Sequence, residues 1–111
     1  MYEQLKKRLA ATARSGLPVH LLRLRVVGSA SEDEIVTFAD DIARVARIDD
    51  VIGRMGYYEF VIIINGGAES IEKLCHRINA LAGFENRLDI TTITSRMGEE
   101  VQEFLQRLDD M

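Results

Sequence analysis

An α+β fold with a ferredoxin-like core is what this sequence predicts: a mostly antiparallel sheet built in the order β-α-β-β-α-β, with a further helix at each end. Three observations carry that expectation. Period-2 alternation marks a strand near residue 22, and apolar stripes at helical spacing separate it from later β-runs. Between the two central helices, two short β-runs are joined by a tight Gly-containing connection, which reads as a hairpin. Runs of helix and strand in this order pack as one sheet with helices on one face.

Each element has its own warrant. Tyr2, Leu5, Leu9 and Ala13 fall near helical spacing and predict an amphipathic helix over 2–15, which Gly16 and Pro18 end. A strand over 19–27 places Leu22, Leu24 and Val26 on one face, with Arg23 and Arg25 on the other. Ser31 followed by Glu34 is a capping box that opens a helix to about Ala46, with Ile35, Phe38, Ala39, Ile42 and Ala46 as its stripe. Strands over 51–55 and 59–64 form the hairpin. Asn65, Gly66 and Gly67 punctuate the chain before a helix over 68–82, whose apolar face is Ile71, Leu74, Cys75, Ile78 and Leu81 and whose C′ residue is Gly83. A strand over 88–94 and a helix over 99–108 close the order.

Composition bounds the possibilities. The 111 residues, without repeat or low-complexity stretch, are expected to form a single domain over 1–111. The longest apolar run, Phe60 to Ile64, is far shorter than the roughly 20 residues that span a bilayer. No signal-peptide pattern is read at the N-terminus. The single cysteine, Cys75, suits a reducing, cytoplasmic setting and is read as core. A net charge of −4 argues against a general nucleic-acid binder. His20 and His76 lack partners at metal-ligand spacing, so neither a metal nor another cofactor is expected. Lys6, Lys7 and Arg8 read as a solvated helix face.

The most specific stretch runs from Arg47 to Ile64. Arg47 and Asp50 form an R-x-x-D pair, a short strand with Arg54 follows, then Gly56, Tyr57, Tyr58, Glu59 and Phe60, then an apolar strand. This resembles the signature hairpin of GGDEF domains, the bacterial diguanylate cyclases, with GYYEF in place of GGDEF. Gly56, Glu59 and Phe60 match the pentapeptide, whereas Tyr57 and Tyr58 do not. The likeness extends along the chain: Arg14, Ser15, Gly16 and Pro18 resemble the turn after the family's leading helix, and Glu32 to Arg44 resembles its next helix. Gly98 to Met111 is similar to its closing helix. The family's N-terminal lead-in has no counterpart.

The resemblance implies a nucleotide-cyclase-like fold and, by its mismatches, an inactive one. Diguanylate cyclases join two GTP molecules, one presented by each half of a dimer, using Mg²⁺ held by hard carboxylate oxygens. Those carboxylates stand at the end of the first strand and at the third pentapeptide position. Here Arg25 or a neighbouring valine occupies the first place and Tyr58 the second. A phenol, with an ordinary pKa of about 10, is a poor Mg²⁺ ligand at neutral pH. Tyr57 replaces a glycine that lets the turn approach a phosphate. The family's phosphate- and guanine-binding segment is missing, because only Gly28 to Ser31 separate the first strand from the next helix. No cyclase activity is expected.

What the resemblance retains is an inhibitory-type site for cyclic di-GMP: Arg47 and Asp50, with Arg77 on the helix after the hairpin. Arg54 lies between them, as a ligand contact or as a structural residue. The same R-x-x-D spacing recurs at Arg107 and Asp110, and Arg47 and Asp50 also fit a surface pair capping the preceding helix. Two readings follow. One is a degenerate signalling domain that senses cyclic di-GMP and acts on a homodimer or a signalling partner. The other is a protein-interaction or dimerisation domain without nucleotide.

Overall fold

Antiparallel pairing organises every strand of the sheet. The computed structural model describes residues 2–46, 51–64, 68–81 and 87–110. In chain order the elements are α1 (Tyr2–Ser15), β1 (His20–Val26), α2 (Glu32–Val45), β2 (Val51–Gly56), β3 (Glu59–Ile64), α3 (Ala68–Asn79), β4 (Leu88–Thr94) and α4 (Val101–Asp109). The sheet order is β2-β3-β1-β4, with β1 paired to β3 and β4 and β2 to β3, all antiparallel. Each of the helices α2 and α3 joins two strands that have a third between them, which makes every neighbouring pair antiparallel. This is the ferredoxin-like core expected.

Its two internal helices share one face. Leu22, Leu24 and Val26 of β1 and Phe60, Ile62 and Ile64 of β3 are buried there under Ile35, Phe38 and Ile42 of α2 and Leu74 and Ile78 of α3. The terminal helices cover the opposite face. Leu5 and Leu9 of α1 and Val101, Phe104 and Leu108 of α4 pack on Leu21, Val61, Ile63 and Ile93. Most positions on both faces of β1 and β3 are therefore buried, and the unbroken apolar run of β3 is the signal of a strand buried on both sides. Arg23, on the face opposite Leu22 and Leu24 as expected, is only 6% exposed and donates to the Leu108 carbonyl at 3.1 Å. A buried guanidinium needs such acceptors.

Element ends follow local chemistry. Gly16, at φ +75°, donates its N–H to the Thr12 carbonyl and stops α1, because only glycine adopts that left-handed conformation cheaply. Ser31 caps α2 through the reciprocal bonds of a capping box with Glu34. α3 ends at Asn79, short of the expected residue 82, and α4 begins at Val101 rather than 99 because Glu99 is engaged in the preceding turn. Asn65 to Gly67 and Gly83 lie outside the described residues. No helix among the described residues is long and apolar enough to cross a membrane.

Candidate functional site

The β2–β3 hairpin is a two-residue turn made rigid by its own arginine. Pairing runs from Val51 opposite Ile63 to Arg54 opposite Phe60, then shifts so that Gly56 faces Glu59 across Tyr57 and Tyr58. Such an irregularity bends the strand and leaves one residue, Met55, without a partner in the register. Arg54 reaches along the bend: its Nε donates to the Gly56 carbonyl at 3.1 Å and its NH2 to the Tyr57 carbonyl at 2.9 Å. The same guanidinium lies 5.4 Å from the Tyr57 ring centre and 5.6 Å from that of Phe60, within cation–π range. Arg54 is thus a clamp on the turn.

The tip is stitched to the connection between β1 and α2. Tyr58 is half-buried against the core of that face, and its hydroxyl donates to the Ala30 carbonyl at 3.3 Å. Its own carbonyl accepts from the Val26 N–H at 2.8 Å. Tyr57 is exposed, set edge-on to Tyr58 with centroids 4.6 Å apart. Arg87 braces the same connection from the start of β4, donating to the Ser29 carbonyl at 2.6 Å and to Glu34 at 3.0 Å. The Ser31 amide and the Arg87 guanidinium hold the Glu34 carboxyl below the usual carboxylate range. Between the hairpin and the first turns of α2 lies a cleft of about 560 Å³, lined by Glu32, Ile35, Val36, Arg54, Met55 and Tyr57 among others.

No protein-family model and no curated protein matches the sequence. Solved structures do match the fold. The diguanylate cyclase SiaD from Pseudomonas aeruginosa, solved in complex with its activator SiaC, superposes at a TM-score of 0.75 with 19% identity. The match covers 98% of this chain and 52% of that one, so the chain spans about half of SiaD. The GGDEF domain of DgcB from Caulobacter crescentus, in complex with c-di-GMP, matches at 0.74 and 17% identity over 97% of this chain and 75% of that one. An EAL/GGDEF domain protein from M. capsulatus matches at 0.61 and 25% identity over 96% and 82%.

This chain has the GGDEF-domain fold.

On that fold, the two expected metal-ligand positions can be inspected directly. The side chain at the third pentapeptide position is the Tyr58 phenol, turned to the Ala30 carbonyl. At the end of β1, Val26 shares the Tyr58 face and is buried, whereas Arg25 turns to the other face. There Arg25 lies opposite Glu59, 3.7 Å from its carboxylate, and the Arg23 Nε is 3.9 Å from the same group. The retained acid of the hairpin is therefore held between two guanidiniums, on the side away from Tyr58. No group of three or more His, Cys, Asp or Glu side chains that could hold a metal occurs among the described residues.

Arg77 is exposed in the last turn of α3. Arg47 and Asp50 lie outside the described residues, immediately before Val51, where β2 begins. Arg107 pairs with Glu99, so its R-x-x-D spacing to Asp110 belongs to the α4 turn. Cys75 is half-buried against the core, and burial pushes its thiol pKa up. His20 is buried beside the Thr94 hydroxyl at 3.0 Å, with its pKa lowered by burial. Sequence reasoning missed Arg87 and the cleft; the Glu34–Arg87 bond joins residues 53 apart, for which no local spacing exists.

Proposed function

We propose that this chain is a non-catalytic signalling domain of the GGDEF fold that binds cyclic di-GMP through Arg47, Asp50 and Arg77. One observation carries the non-catalytic half. The side chains where the fold's cyclases need Mg²⁺ ligands are a hydrogen-bonded phenol and a buried valine. A neutral, core-packed pair offers no hard anionic oxygen to a divalent cation. Glu59 does not replace them, because it faces Arg23 and Arg25 across the sheet.

The binding half rests on chemistry and on register with the hairpin. A guanidinium fork matches phosphate oxygens, or O6 and N7 of guanine, in a bidentate way. An aspartate accepts from the N1–H and N2–H edge of the same base. The DgcB neighbour was solved with c-di-GMP bound, which supports a dinucleotide as the ligand to try first. With a net charge of −4 the protein does not attract anions by bulk charge, so affinity must come from the local arginines.

Calorimetry with cyclic di-GMP tests the reading. Binding heat is expected at tens of micromolar protein, and Arg47→Ala is expected to abolish it. No measurable heat would sink the proposal. GTP with Mg²⁺ is expected to give no cyclic di-GMP; product above that of a Tyr58→Ala control would restore an enzyme. The reading as an interaction domain has its own support in the exposed apolar side chains around the cleft.

A further inference from the structure

The cleft beside the hairpin is lined largely by exposed apolar side chains. Val36 is 51% exposed, Met55 50% and Tyr57 46%, and all three border the same cavity with buried Ile35 at its floor. Methionine and tyrosine are residues that interfaces favour, and about 560 Å³ accepts a few side chains. The α2 rim of the cleft is negative. Glu32, Val36 and Asp40 follow one another at four-residue intervals on α2, so a carboxylate stands one helical turn to either side of the exposed valine. Glu32 and Asp40 are exposed and make no ion pair among the described residues.

The usual devices for an anion are partly engaged or opposed. Arg54, the one cation lining the cleft among the described residues, turns its Nε and one NH2 donor to the Gly56 and Tyr57 carbonyls. At the α2 N-terminus the Glu34 amide is bonded to the Ser31 side chain, and Glu32, Asp33 and Glu34 oppose the positive end of the helix dipole. A phosphate there would meet three carboxylates.

We infer that this cleft is a docking site for a partner protein's amphipathic helix, with an apolar side chain seated between Val36, Met55 and Tyr57 and lysines or arginines facing Glu32 and Asp40. The basic pair Lys6 and Lys7 lies on α1, which carries no exposed large apolar side chain among its described residues, so α1 of a second copy is a poor match for the cleft. The site uses none of Arg47, Asp50 and Arg77, so it stands or falls apart from dinucleotide binding.

Two synthetic amphipathic helical peptides with the same leucine stripe, one flanked by lysines and one by glutamates, test the proposal. Fluorescence polarisation gives affinity and amide chemical shifts give the place. The lysine peptide is expected to bind about tenfold or more tightly than the glutamate peptide at low salt, from two ion pairs made against two repulsions. Shifts should centre on Ile35, Val36, Met55 and Tyr57. Val36→Ser with Met55→Ser should abolish binding. Glu32→Lys with Asp40→Lys should reverse the preference between the peptides. These four side chains are exposed, and an unchanged amide spectrum elsewhere confirms an intact fold. Equal binding of both peptides, shifts centred away from the cleft, or shifts at the cleft caused by inorganic pyrophosphate would overturn the inference. So would shifts there that grow with protein concentration alone, which would show a second copy in the cleft.

Discussion

Tyr58 and Gly56 show how differently two positions of one motif can be constrained. The Tyr58 hydroxyl and the Ala30 carbonyl satisfy each other in a half-buried setting. Tyr58→Phe is expected to cost about 0.5–1.5 kcal/mol, read as a lower urea midpoint with an unchanged slope. Gly56 matches the family pattern, yet its φ is not in the left-handed region, and a Cβ there would meet only the Glu59 Cβ at 4.0 Å. Gly56→Ala is therefore expected to raise stability by up to about 1 kcal/mol by narrowing the unfolded ensemble. A loss of stability in the same titration would show that the turn needs glycine. Gly56 matches the motif, but the geometry of this turn does not require a glycine there.

At the scale of elements, the helix starts carry the strongest local chemistry. The α2 capping box was readable because Ser31 and Glu34 are three residues apart and both bonds are local. Ser31→Ala should cost about 1 kcal/mol in thermal unfolding. The turn before α4 was not readable. Glu99 accepts from the Arg96 amide at 2.9 Å and from two Arg107 nitrogens at 2.7 Å, and Arg107 also donates to the Thr94 carbonyl. Arg107, foremost, and the Arg96 amide hold the Glu99 pKa below the usual range, while Arg107 is raised in return. A carboxyl whose folded pKa is depressed stabilises the fold above its unfolded pKa, and that contribution is lost as pH falls through the folded value. Wild type should therefore lose more stability than Glu99→Gln between pH 6 and pH 3, measured by urea midpoints at both pH values. An equal loss would remove Glu99 from the acid response.

The whole molecule is a sheet with a core on each side. Phe38 anchors one face, edge-on to Phe60 with centroids 5.7 Å apart, and Phe104 anchors the other; both are fully buried. Phe38→Ala and Phe104→Ala should each cost about 3–5 kcal/mol, a large share of a domain stability of roughly 5–15 kcal/mol. Because β1 and β3 contribute side chains to both cores, each variant should still unfold in one urea transition. Two transitions in Phe104→Ala would show that the terminal-helix face is a separate unit.

The strands, helices and hairpin were determined by the sequence alone, since periodicity, caps and turn residues act over a few positions. Period-2 alternation also placed Leu22, Leu24 and Val26 on one face correctly. What only the tertiary structure decided is which surfaces meet. The burial of Arg23 depends on α4 arriving from 85 residues away, and the Arg87 brace on β4 reaching the Ser29 carbonyl across 58. The cleft exists only because a bend at Met55 faces the first turns of α2. Local chemistry specifies each element, but a contact between distant segments depends on how every intervening element packs. That is why the hairpin could be read from the chain while its surroundings could not.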